Sequence, residues 1–126
     1  MKLAEKKVLI VDDEQDIVET LQFILETEGI KCITAYDGEE ALNKAKSEKP
    51  DLIILDVMLP KINGYKVCRL LKFDAKYKNM PILMVTARSQ EEDKAIGEET
   101  GADKYITKPF DIDELVKIVK KYLKID

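Results

Sequence analysis

The 126-residue chain contains no histidine and no tryptophan, and only two cysteines, Cys32 and Cys68. Without histidine there is no Ser-His or Cys-His nucleophile pair, no phosphohistidine carrier and no ordinary zinc site. Two cysteines so far apart make neither a disulfide framework nor a CxxC redox motif, which leaves them as buried structural thiols. Long apolar runs are also missing: no stretch approaches the roughly 20 residues that span a bilayer. The opening MKLAEKK leads into a short strand rather than a signal-peptide core, so the expected location is the cytoplasm, with no membrane span. Positive charge is in deficit, with 21 Lys and Arg against 25 Asp and Glu and a formal net charge of −4. A phosphate backbone asks for clustered cations, so no direct nucleic-acid binding is expected.

What is present is a composition of 45% hydrophobic and 37% charged residues, with no low-complexity segment and no linker. The expectation is one domain over residues 1–126, with no output domain. Five short apolar runs, Lys7 to Val11, Cys32 to Tyr36, Leu52 to Leu55, Ile82 to Val85 and Lys104 to Thr107, alternate with five segments of helical period. That alternation predicts an α/β fold with a parallel sheet. Ile17, Leu21, Ile24 and Leu25 mark one face of the first helix, which stops at Gly29, a residue suited to a left-handed C-cap. Leu42 and Ala45 mark the second helix, and Val67, Leu70 and Leu71 the third. The fourth, near Gln90 to Thr100, offers only Ala95 and Ile96 among five acids, and so thin an apolar face predicts a loosely held element. The last follows Asp111 as N-cap and carries Ile112, Leu115, Val116, Val119 and Leu123 on one face. Lys117, Lys120, Lys121 and Lys124 fall on another side of it, a solvated face or a surface for a partner or a second copy.

The polar residues at the ends of these runs form a pattern. Asp12 and Asp13 end the first, Asp56 the third, Thr86 the fourth and Lys108 the fifth, all at carboxyl ends. Ligands of open doubly wound sheets bind beyond those ends, where the strand order reverses, and in the common order 2-1-3-4-5 the first and third strands are neighbours. Each residue alone has a plain reading: Asp as a turn or N-cap residue, Thr as a β-branched strand residue, Lys-Pro as the start of a loop. Together they are chemically matched. Three carboxylates repel one another unless a divalent cation neutralises them, and oxygen donors without His or Cys point to Mg²⁺, Mn²⁺ or Ca²⁺. Lys108 adds a point charge and Thr86 a hydroxyl, so the set can position and stabilise a transferring phosphoryl group. Asp56, presented at a strand end, is the natural nucleophile for an aspartyl phosphate.

The segments VLIVDDE (Val8 to Glu14), DLIILDVMLPKINGY (Asp51 to Tyr65), PILMVTAR (Pro81 to Arg88) and GADKYITKPF (Gly101 to Phe110) together resemble a chemotaxis-type response-regulator receiver domain, the phosphoryl-accepting half of two-component signalling. The resemblance covers essentially the whole chain. It implies a flavodoxin-like fold, a five-stranded parallel sheet of order 2-1-3-4-5 with helices on both faces. It implies that Asp56 accepts a phosphoryl group from a histidine kinase or phosphotransfer protein. Mg²⁺, with Mn²⁺ as a substitute, would be held by Asp13, Asp56 and the Met58 carbonyl, with Asp12 acting through water. Thr86 would turn towards the phosphate and Lys108 pair with it, ahead of a cis Lys108-Pro109 bond. Tyr105 would be the aromatic switch that alters the surface made by the fourth helix, fifth strand and fifth helix, which binds a downstream target protein. Such a chain is a phosphoacceptor, catalytic only in its own phosphorylation and dephosphorylation, and a monomer or a phosphorylation-dependent dimer. Met58 and Arg88 flank the path of water to the acyl phosphate and neither activates water, which predicts a long-lived phosphoryl state.

Three other readings fit less well. A flavin-binding electron carrier needs amides and hydroxyls after its first strand, where Asp12, Asp13 and Glu14 would repel a phosphate. A phosphatase of the haloacid dehalogenase type needs a DxDx[TV] pattern that VDDEQD does not supply. A pure binding scaffold gains nothing from packing like charges.

Overall fold

Unbroken aliphatic runs such as Leu52 to Leu55 suit strands covered on both faces, and the chain uses them in that way. A computed structural model describes residues 5–87 and 101–125. Within them lie strands β1 (Lys7–Val11), β2 (Lys31–Ala35), β3 (Leu52–Asp56), β4 (Ile82–Thr86) and β5 (Lys104–Thr107). Four helices, α1 (Gln15–Thr27), α2 (Gly38–Glu48), α3 (Gly64–Lys72) and α4 (Ile112–Leu123), connect or follow them. The expected helix near Gln90 to Thr100 lies outside the described residues.

The strands form one parallel sheet in the order β2-β1-β3-β4-β5. The order reverses between β1 and β3, as expected. Successive side chains along the strands serve opposite faces. Val8, Ile10, Ile54 and Val85 pack with Val18 and Leu25 of α1 and Leu115 and Val119 of α4. Leu9, Val11, Ile53, Leu55 and Met84 pack with Ala41 and Ala45 of α2 and Val67 and Leu71 of α3.

Local chemistry sets the boundaries. Asp37, Asn63 and Asp111 cap their helices by accepting from the amides of Glu40, Lys66 and Glu114. Gly29 takes φ +82, and the amides of Gly29 and Ile30 return to the carbonyls of Glu26 and Leu25, closing α1. β2 ends at Ala35, one residue before the apolar run does, because the Tyr36 amide donates instead to the Glu40 carboxylate at 2.8 Å. Two other expectations need correction. Leu70 is 47% exposed, and Ile112, in the first turn of α4, is 38% exposed. Cys68 is buried and Cys32 half-buried, and burial, with the charge of Glu26, pushes Cys32 up to about 12, so it is an inert packing residue.

Gly64 starts α3 hard against β3. A Cβ there would overlap the carbonyl of Asp56 and reach 2.9 Å from the Val57 Cα, all of it backbone that cannot yield cheaply. Gly64→Ala is therefore expected to lower stability by about 3 kcal/mol or more, as overpacking against backbone does. Urea denaturation checks this, and a loss below about 1 kcal/mol would show that α3 shifts freely.

Candidate phosphoacceptor site

Four of the five strand ends deliver the groups of the site. Asp12 follows β1, with its amide tied to the Ala35 carbonyl at 3.2 Å. One of its carboxylate oxygens, Oδ1, accepts from the Glu14 amide at 2.9 Å, and the other, Oδ2, from Lys108 Nζ at 2.8 Å. Asp56 closes β3 opposite Val85, and Lys108 Nζ reaches its Oδ1 at 3.3 Å. Thr86 closes β4 and pairs in register with Thr107 of β5. Its carbonyl accepts the Lys108 amide at 2.6 Å, fixing the backbone of the residue that serves both aspartates. The Lys108-Pro109 peptide is cis.

Asp12, Asp56 and Thr86 are the only buried polar or charged residues among those described. Burial of that kind needs partners, and Lys108 supplies one ammonium to two carboxylates. Asp13 is exposed, yet carboxylate oxygens of Asp12, Asp13 and Asp56 all lie within 4.8 Å of one another. Burial first, then the charge of Asp12 and more weakly that of Asp13, pushes Asp56 up to about 6 against the opposing pull of Lys108. Burial alone would lower Lys108, but the Asp12 hydrogen bond and the charges of Asp56 and Asp12 raise it. Three carboxylates against one ammonium leave two negative charges, which one divalent cation would cancel. The donors are all oxygen, so the residues present fit a hard cation such as Mg²⁺.

Met58, two residues past Asp56, is 62% exposed, while Arg88 lies outside the described residues. Tyr105 is half-buried on β5 opposite Met84, packs against the core on the α2 and α3 side, and its hydroxyl oxygen is out of solvent. Of the lysines expected on one face of α4, Lys120 instead pairs with Glu28, the C-cap residue of α1, at 2.5 Å. Sequence reasoning also missed an apolar groove of about 470 Å³ beside Lys108, lined by Ile17, Thr20, Pro109, Phe110 and Ile112. The signal was present in Ile112, which follows its N-cap directly and so stands in a first turn that the core does not reach. Among the described residues no helix is long and apolar enough to cross a membrane.

The model of the response regulator receiver domain matches residues 8–120. The chain belongs to the response-regulator receiver family. The alkaline phosphatase synthesis transcriptional regulatory protein PhoP of Bacillus subtilis (strain 168) is 56% identical over 120 residues, covering 94% of this chain and 49% of that protein. The chain thus spans about half the length of that curated relative. The Francisella response regulator 1452 receiver domain is 34% identical with a TM-score of 0.88, over 95% of this chain and 98% of that one. The Vibrio cholerae chemotaxis protein CheY4 is 36% identical with a TM-score of 0.88, over 94% and 99% of the two chains. The fold is accordingly the flavodoxin-like receiver fold, and the chain is a receiver domain of a two-component response regulator, a family of signalling phosphoacceptors rather than classical enzymes. Receiver domains take their phosphoryl group from a histidine kinase or phosphotransfer protein and typically use Mg²⁺.

Proposed function

We propose that Asp56 is the phosphoacceptor, with Asp13, Asp56 and the Met58 carbonyl as ligands of Mg²⁺ and Asp12 acting through water. The observation that carries this is the burial of Asp56 and Asp12 around a single Lys108, a charge arrangement that protein folding alone would not favour. A carboxylate oxygen of Asp56 attacks the phosphorus of a phosphohistidine, the phosphorus–nitrogen bond breaks, and the imidazole leaves with that electron pair. Mg²⁺, when bound, offsets charge on the phosphoryl oxygens. Lys108 is placed to hold a phosphoryl oxygen, and Thr86 to give its hydroxyl to another. The groove between α1 and the β5–α4 loop offers an apolar seat for a helix of the donor, beside the acceptor. The domain works in the cytoplasm.

Thr86 and Tyr105 carry the state onward. Their strands are adjacent in register, and a second groove, of about 330 Å³, opens between β5 and α4 next to Tyr105, Ile106, Leu115 and Ile118. A change at Thr86 is thereby passed to a face that a downstream protein reads.

Intact mass after incubation with acetyl phosphate tests the reading. One phosphoryl group is expected with Mg²⁺ and none with a chelator; uptake independent of Mg²⁺, or none in either condition, goes against it. A second expectation follows from Met58. Met58 is exposed two residues past Asp56 and a thioether cannot activate water, so the phosphoryl group is expected to persist for minutes or longer after desalting. Loss within seconds would show that another group directs hydrolysis.

A further inference from the structure

Two of the three phenylalanines lie on the surface, Phe23 at 70% and Phe73 at 73% exposure, and they sit on helices of opposite charge. From Asp12 to Ile30 there is no Lys or Arg, and along α1 the exposed Asp16, Glu19, Phe23 and Glu26 follow helical spacing on one face. Between Ile62 and Met80 the balance inverts: Lys66, Arg69, Lys72, Lys76 and Lys78 stand against Asp74 alone, in a chain of net charge −4. On α3 and its C-cap, Lys66, Arg69, Leu70 and Phe73 form an exposed stripe of the same spacing. Lys72 is engaged inside the fold, with Asp103 at 2.9 Å and the Met80 carbonyl at 3.1 Å. Among the described residues, Asp16, Glu19 and Glu26 form no salt bridge, and neither do Lys66 and Arg69.

We propose that the acidic, Phe23-centred face of α1 in one copy docks on the basic, Leu70- and Phe73-centred face of α3 in a second copy. Each side then has apolar anchors inside a charged rim of opposite sign, which is the composition of a protein interface rather than of a solvated helix. α1 and α3 cover opposite faces of the sheet, so one molecule cannot satisfy both of its own stripes. The contact is heterologous: every copy that docks leaves one α1 and one α3 free, and growth does not stop at a dimer. The small number of anchors puts the contact in the weak, transient class, below about 1,200 Å².

Sedimentation velocity over a range of protein concentrations at low salt tests this. The weight-average mass of the wild type is expected to climb past the dimer value, and to fall back to the 14.4 kDa monomer in about 0.5 M NaCl, where screening is short-ranged. Glu19→Lys with Glu26→Lys, and separately Lys66→Glu with Arg69→Glu, should each remain monomeric, because each carries two faces of one sign. Mixing the two variants restores both complementary pairs and should restore association. Phe73→Ser, which leaves the charges alone, should weaken it. All five side chains are exposed, and circular dichroism confirms the fold of each variant. A wild type monomeric at every concentration, undiminished association in either reversed variant, or a mixture that stays monomeric overturns the proposal.

Discussion

Asp56→Asn is expected to take up no phosphoryl group from acetyl phosphate, and at the same time to be more stable than the parent chain at neutral pH without metal. The first effect removes the nucleophile, since a carboxamide does not form an acyl phosphate. The second follows from linkage. Asp56 is held at about 6 in the fold against 3.8 for an ordinary aspartate, so the folded state binds the proton more tightly than the unfolded chain does. Stability from this group is then greatest below about pH 4, declines as pH rises through the window up to about 6, and stays low above it. The full effect is about 3 kcal/mol for a side chain this buried, at about 1.4 kcal/mol for each tenfold change in proton affinity. Asparagine has no charge to bury, and the value of about 6 already includes the attraction of Lys108, so a net gain of about 2 to 3 kcal/mol at pH 7.5 is expected, vanishing near pH 4. Paired urea titrations at the two pH values measure it. A variant less stable than the parent at pH 7.5 would mean that Lys108 outweighs burial and the Asp12 repulsion.

Lys108→Ala should act in the opposite sense on stability and split two properties that fall together in most site variants. Its ammonium lies 2.8 Å from Asp12 and 3.3 Å from Asp56, and only 15% of the side chain is exposed. Removing it leaves two buried carboxylates facing each other, and a metal-free loss of about 3 kcal/mol at neutral pH is expected, the range for a buried pair deprived of one partner. Mg²⁺ affinity should nevertheless rise, by roughly three- to tenfold, because a competing cation has gone. Phosphoryl uptake should fall by about 10²-fold, the scale of losing one preorganised electrostatic contact to the transferring group. Isothermal titration, denaturation and a timed mass assay read the three effects. Weaker Mg²⁺ binding in the variant would show that Lys108 orients the metal ligands rather than competing with the metal.

The placement of the site was legible because strands of continuous aliphatic residues end in chemically distinctive groups. Val8 to Val11, Leu52 to Leu55 and Ile82 to Val85 can only be buried strands, so Asp12, Asp56 and Thr86 stand at their ends, and the parallel order does the rest. Less legible were positions where two faces of a helix compete. Leu70 and Cys68 are both apolar and two residues apart, so they stand on different sides of the helix; Cys68 is buried, as expected of it, and Leu70 is the one that faces out. Lys120 read as one of a solvated set, but Glu28 caps a helix that only the fold brings alongside. The tight return of Tyr36 to Glu40 was likewise hidden, because β propensity continues through Tyr36 and the competing acceptor is a side chain. Exposure of Phe23 and Phe73 follows from tertiary packing, not from their type.

The most direct measurement of the central claim is the position of the phosphoryl group. Protein phosphorylated with acetyl phosphate and Mg²⁺ is reduced with borohydride, which converts an aspartyl phosphate to homoserine, and peptides are sequenced by tandem mass spectrometry. Homoserine at residue 56 alone, in the peptide that spans β3, is the predicted result. Homoserine at Asp12 or Asp13, or a phosphoryl group that survives reduction on another residue, would contradict the assignment of Asp56 as the acceptor.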